Sequence, residues 1–86
     1  MGYLYILRCR NERFYIGSTN DLERRLAEHQ AGLSRYTSNL LPVELVFSQK
    51  YDSLVKARRI EYRLKKLKRR DIIEMIIRDQ VIKLES

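Results

Sequence analysis

Between Phe14 and His29 the chain reads FYIGSTNDLERRLAEH, a stretch that allows few local structures: the end of a strand, a tight glycine turn and a capped helix. Phe14 and Ile16 alternate with Tyr15 and Gly17, which sets the apolar pair on one face and Tyr15 on the other. Gly17 has no Cβ and lets the backbone turn closely. Asn20 or Asp21 caps the helix, and Asn20 with Glu23 has capping-box spacing. At about 100° per residue, Leu22 and Leu26 form a narrow apolar stripe with Arg25 and His29 along one edge. Those two polar side chains therefore belong where the helix meets the sheet, beside the face that carries Tyr15.

The flanking chain supplies the sheet and a second layer. Tyr3 to Arg8 (YLYILR) is rich in aromatic and branched residues and reads as a strand. A three-residue loop pairing Arg8 with Glu12 sets Tyr5 opposite Tyr15, with Leu4 and Ile6 facing Ile16 and Phe14 on the other side. Gly32 stops the first helix. Leu33 to Leu41 has no period and reads as a surface loop able to touch a ligand. Pro42 opens a third strand, VELVFSQKY, in which Val43, Leu45 and Phe47 alternate with Glu44, Val46 and Ser48. Ser53 caps a long helix with a stripe of Leu54, Ala57, Ile60, Leu64 and Leu67, and Glu61 falls at the margin of that stripe. A carboxylate there needs a salt-bridge partner, such as Arg25 or Arg58, or a ligand. Asp71 caps a last helix, IIEMIIRDQ, whose Ile72, Ile73, Ile76 and Ile77 face the core; Val81 to Ser86 extend it or form a short strand.

Eighty-six residues make one small domain with a single core, about 3–67 plus a C-terminal helix of about 71–80. The lone Cys9 forms no intramolecular disulfide, and no Cys/His cluster has zinc spacing. YLYIL is too short for a membrane span or signal core, so the expectation is a soluble cytoplasmic protein without membrane or disulfide-linked partners, a monomer or weak dimer. Charge is concentrated. Residues 51–70 hold nine of the 18 Lys and Arg against Asp52 and Glu61, and so carry the whole net charge of +7. A basic stripe on an otherwise balanced chain points to a phosphate backbone, the alternative being a solvated helix face.

These residues together resemble the GIY-YIG nuclease superfamily, and most closely its small stand-alone bacterial members. Tyr15, Ile16 and Gly17 form the second half of the name motif; Tyr3, Leu4 and Tyr5 stand for the first half, with tyrosine for its glycine and leucine for its isoleucine. Arg25 stands eight residues after Gly17, where the family has its catalytic arginine. His29 matches a histidine or tyrosine found one helical turn later, and Glu61 matches the metal-binding glutamate. Ser18 takes a place where some relatives have lysine. The resemblance implies an α+β fold, a three-stranded antiparallel sheet flanked by about three helices.

It also implies divalent-metal-dependent phosphodiester hydrolysis, by an endonuclease or nickase. Glu61 would be the protein ligand of Mg²⁺ or Mn²⁺, an ion that keeps several waters and borrows phosphate oxygens. Arg25 would hold the scissile phosphate with its planar fork. Tyr5, Tyr15 and His29 share the roles of general base, water orientation and proton shuttle; a free tyrosine titrates near ~10 and needs nearby positive charge to serve as base. Arg24, Tyr36, Lys56, Arg59, Arg63, Lys65, Lys66, Lys68 and Arg69 are the candidate nucleic-acid contacts. No separate reader motif is present, so little sequence specificity is expected, with structure- or single-strand selectivity in its place and DNA as the first substrate. The competing expectations are a non-catalytic nucleic-acid-binding module that keeps the fold, and an adaptor whose basic helix docks on an acidic protein.

Overall fold

The structure, a computed structural model, describes residues 1–83. Its elements in chain order are β1 (Gly2–Arg8), β2 (Phe14–Thr19), α1 (Leu22–Gln30), β3 (Glu44–Tyr51), α2 (Leu54–Leu67) and α3 (Arg70–Asp79). The strands form one antiparallel sheet in the order β2-β1-β3, giving the expected α+β architecture with β1 central. Leu4, Tyr5, Ile6 and Leu7 are all buried, so this sheet is covered on both faces. On one face Leu4, Ile6, Ile16 and Phe47 pack against Ile60 and Leu64 of α2, Ile73 and Ile76 of α3, and Ile82. On the other, Tyr5 and Leu7 pack with Cys9 and Val43, and Leu22 and Leu26 of α1 close over them.

Two departures from simple alternation shape the sheet. In the β1–β2 hairpin Arg8 pairs with Phe14, and Cys9 N–H donates to the Arg13 carbonyl at 2.8 Å, so the three loop residues are Arg10, Asn11 and Glu12. Glu12 takes the left-handed position of this loop, at φ 68°. Tyr5 therefore lies opposite Gly17, and Tyr15 opposite Leu7, in place of the expected Tyr5–Tyr15 pair. The slip is two residues, which preserves the faces, and it sets a bulky ring over a glycine. In β3, Ile6 pairs with Phe47 and Leu7 with Leu45, leaving Val46 as a bulge. Phe47 consequently joins Leu4 and Ile6 while Leu45 and Val43 join Tyr5 and Leu7, so the expected single face of Val43, Leu45 and Phe47 is split between the two layers.

The helix ends follow local chemistry. Asp21, not Asn20, caps α1, accepting from Arg24 N–H at 3.1 Å. Its C-terminus closes on Gly32 at φ 78°, with Gly32 N–H bonded to the His29 carbonyl (3.1 Å) and Leu33 N–H to that of Glu28 (3.0 Å). Ser53 caps α2 as expected, accepting from Lys56 N–H. Of the expected α2 stripe, Leu67 is 44% exposed, because the chain turns away through Lys68 at φ 52°. Asp71 is not the cap of α3. It sits in the first turn behind Arg69 and pairs with that arginine at 2.7 Å. Residues 81–83 form neither helix nor strand, although Ile82 is buried and its N–H reaches Gln49 Oε1 at 3.0 Å; the remainder of the expected 81–86 segment lies outside the described residues.

Ile60 is fully buried at the centre of the α2 contact, so Ile60→Ala is expected to cost about 2–5 kcal/mol in urea unfolding. Leu67→Ala should change stability by no more than about 0.5 kcal/mol. Equal losses at the two positions would contradict this packing.

Candidate active site

The site begins with a close approach. Gly17 lies within β2 instead of turning the chain, and the Tyr5 ring passes over it; a Cβ at position 17 would overlap the Tyr5 hydroxyl and ring. The hydroxyl lies 2.9 Å from His29 Nε2, and His29 Nδ1 lies 2.8 Å from Thr37 Oγ1. His29 and Thr37 are fully buried, which makes each of these bonds necessary. Two tautomers satisfy the chain: Tyr5 donates to Nε2 while Nδ1 donates to Thr37, or Thr37 donates to Nδ1 while Nε2 donates to Tyr5. The Tyr15 ring packs on the same imidazole at 5.1 Å between centroids, and the exposed Tyr36 stacks on Tyr15 at 6.1 Å. The 33–41 loop is thus not wholly a surface loop, since Ser34 and Thr37 are buried beneath it.

A second group sits on the other face, behind β2. Ser18 of β2 donates to Glu61 Oε1, and Lys65 Nζ pairs with Oε2 at 2.7 Å. The same ammonium lies 5.5 Å from the centre of the Tyr15 ring. Lys65 therefore reaches around the edge strand and joins the carboxylate on one face to the tyrosines on the other. Arg25 pairs with Glu28 at 3.1 Å, and its charge also acts on the Tyr5 hydroxyl. Glu61 pairs with Lys65 and not with Arg25 or Arg58.

The electrostatics favour neutral groups. Burial pushes the Tyr5 hydroxyl up to about 12, against the lowering effect of Arg25, while the charges of Tyr15 and Glu61 add to the rise. Burial, followed by the Arg25 cation, holds His29 down to about 4, with Glu28 opposing. Among the described residues no group of three or more His, Cys, Asp and Glu is placed to hold a metal. Glu61 offers a single hard carboxylate with a hydroxyl beside it, a donor set suited to an ion that retains most of its water, and any such ion must displace or share the place of the Lys65 ammonium.

Of the sequence-derived residues, Tyr5, Tyr15, Arg25, His29, Glu61, Lys65 and Tyr36 come together. Arg24 turns to Asn20 and Lys56 to Asp52, away from the tyrosines. Lys66 lies over Tyr62, and Arg59 and Arg63 line a shallow depression with Val55 on the outer side of α2. Lys68 and Arg69 lie beyond the α2 terminus. Thr37, in a segment with no period, carries no sequence signal for its bond to His29; Ser18 stands out only through the resemblance, as a place where some relatives have lysine.

Because the fold holds His29 neutral and the unfolded chain protonates it first, its contribution to stability is complete above about pH 6.5 and is lost as pH falls toward about 4, at up to about 1.4 kcal/mol per pH unit. Urea unfolding of His29→Gln should lack this slope; equal slopes in the two proteins between those pH values would refute it. Gly17→Ala should drive the Tyr5 ring off His29, cost about 1–3 kcal/mol and bring the imidazole titration seen by NMR back toward ~6.5. An unchanged titration would mean that glycine is not required under Tyr5.

Comparison with known proteins agrees with this architecture. The family model described as the GIY-YIG catalytic domain matches residues 1–74. A UPF0213 protein of Natronomonas pharaonis is 44% identical over 68 residues, covering 78% of this chain and 80% of that one. One from Clostridium perfringens is 39% identical over 77 residues, covering 88% and 83% respectively. The solution NMR structure of a UPF0213 protein from Bacillus halodurans superposes with a TM-score of 0.59 at 34% identity, over 93% of this chain and 87% of the other. With the match running from the first strand into the last helix, the chain belongs to the GIY-YIG nuclease family.

Proposed function

We propose that this protein is a divalent-metal-dependent endonuclease or nickase acting on DNA, with little sequence specificity and a preference for particular strand structures or single strands. The observation that carries this reading is the meeting, around the edge of β2, of a phenol–imidazole pair, a guanidinium and a half-buried carboxylate. Phosphodiester hydrolysis needs a proton acceptor for water, charge on the phosphoryl oxygens and help for the leaving oxygen. Family membership makes a nucleic acid the substrate class, and the basic segment 51–70 suits a phosphate backbone.

In this reading Arg25 binds the scissile phosphate by its fork, exchanging Glu28 for the substrate. Tyr5 accepts the proton of the attacking water while passing its own hydroxyl proton to His29 Nε2, so the step avoids a free tyrosinate whose pKa of about 12 disfavours it. The imidazolium so formed is less costly once an anionic phosphate faces it. Tyr15, packed on His29, orients water or phosphate. Glu61 would hold Mg²⁺ or Mn²⁺, which when bound supplies Lewis-acid stabilisation of the phosphoryl charge. The second reading, a binding module without cleavage, is favoured by one observation: both Glu61 oxygens already have partners.

End-labelled single-stranded, duplex and branched DNA, and RNA, incubated with Mg²⁺ or Mn²⁺, should distinguish the two. Cleavage is expected, lost in Glu61→Gln and reduced by about 10²–10³ in Arg25→Ala under single-turnover conditions, with binding kept in both. Full cleavage by Arg25→Ala would overturn the mechanism, and binding without cleavage on every substrate would favour the binding module.

A further inference from the structure

We infer that a basic groove at the junction of α2 and α3 is a second phosphate-backbone site, along which the strand leaves the cleft. This inference rests on the nuclease reading. The groove, of about 290 Å³, runs between the hairpin residues Arg13 and Phe14 on one side and Lys65, Lys68, Arg69 and Arg70 on the other. Five of its lining residues are cationic, and none is acidic.

The walls are tied together. Arg70 stacks over the Phe14 ring at 4.5 Å, donates to the Glu12 carbonyl at 3.0 Å and pairs with Glu74 at 3.2 Å. Arg69 is neutralised by Asp71 at 2.7 Å, and Lys65 by Glu61 at 2.7 Å. Arg13 and Lys68 make no ion pair among the described residues, so they are the charges left for a ligand. Lys65 belongs both to this groove and to the Glu61–Tyr15 bridge, which makes the two sites continuous. A tied, apolar-floored groove with two uncompensated cations, opening onto the candidate cleavage site, matches a sugar–phosphate backbone better than a small anion. Lys68, one of the expected nucleic-acid contacts, would in this inference act with Arg13 at the junction and not as a continuation of the α2 stripe, while Arg69 stays paired with Asp71.

The test is binding of an end-labelled single-stranded oligonucleotide in EDTA, followed by anisotropy between about 50 and 200 mM salt. The variant Arg13→Gln with Lys68→Asn removes both charges, asparagine being chosen because it tolerates the left-handed backbone at position 68. Lys50→Gln with Lys83→Gln removes the same net charge elsewhere. The groove variant should bind at least about tenfold more weakly, with the slope of log K against log salt reduced by about 1.4, while the control stays near wild type. Equal behaviour of the two variants would overturn the groove. Independently, DNA added to isotope-labelled wild type should shift the amides of Arg13, Phe14 and Lys68, and unmoved amides there would also overturn it. Wild type that binds but does not cut would remove only the nuclease reading; wild type that does not bind would remove both.

Discussion

A phenol on the central strand of a sheet covered on both faces has to find its hydrogen-bond partner inside the protein. Tyr5 is in that position, and an unmet hydroxyl there costs about 1–3 kcal/mol. Its partner is His29, delivered by the last turn of α1, and His29 in turn needs Thr37. One buried hydroxyl thus draws the helix and the following loop onto the sheet. Gly17 supplies the space, since any larger residue would contend with the ring. The YIG motif is in this sense a packing solution before it is a chemical one: the glycine lets a tyrosine from the neighbouring strand cross β2 toward the edge.

That crossing determines the form of the site. Tyr15 and Ser18 have opposite parity on β2, so the tyrosine–histidine cluster lies on one face of the sheet and Glu61 on the other. Only at an edge strand can groups from two faces act on one ligand, and β2 is such a strand. Lys65 spans the same edge, holding Glu61 while lying over Tyr15. The ammonium balances the carboxylate, which keeps a partly buried charge from standing alone.

Much of this was legible in the residues. The apolar alternation of the first two strands, the Ser53 cap and the α2 positions Ala57, Ile60 and Leu64 depend on local chemistry and agree with the sequence, whereas the sequence leaves Asn20 and Asp21 both open as the α1 cap and the structure selects Asp21. The hairpin register was not legible, because a two-residue slip conserves every face and only the fit of Tyr5 over Gly17 decides between the alternatives. The Val46 bulge was hidden for a related reason: Val43, Leu45 and Phe47 have a regular period, and their assignment to two layers is a tertiary choice. Asp71 has the composition of a cap, yet the turn at Lys68 starts the helix two residues too early for it. For the candidate site, spacing and resemblance point to Arg25, His29 and Glu61, whereas nothing in the sequence points to Thr37, since a buried hydroxyl in an aperiodic loop leaves no pattern.

Among the described residues no strand pairs with the outer edge of β2, and this has a further consequence for behaviour in solution. A row of unpaired backbone groups invites another strand to dock, and sheet proteins commonly discourage this with charge at the rim. Here the Lys65 ammonium lies across one part of that rim, and the Arg13 guanidinium stands at its hairpin end. Another strand approaching this edge would have to displace the Lys65–Glu61 pair and meet the uncompensated Arg13 charge before any ladder could form. The same cations that suit the strand to a polyanion therefore guard it against its own kind, and replacing them would trade ligand affinity for a tendency to aggregate.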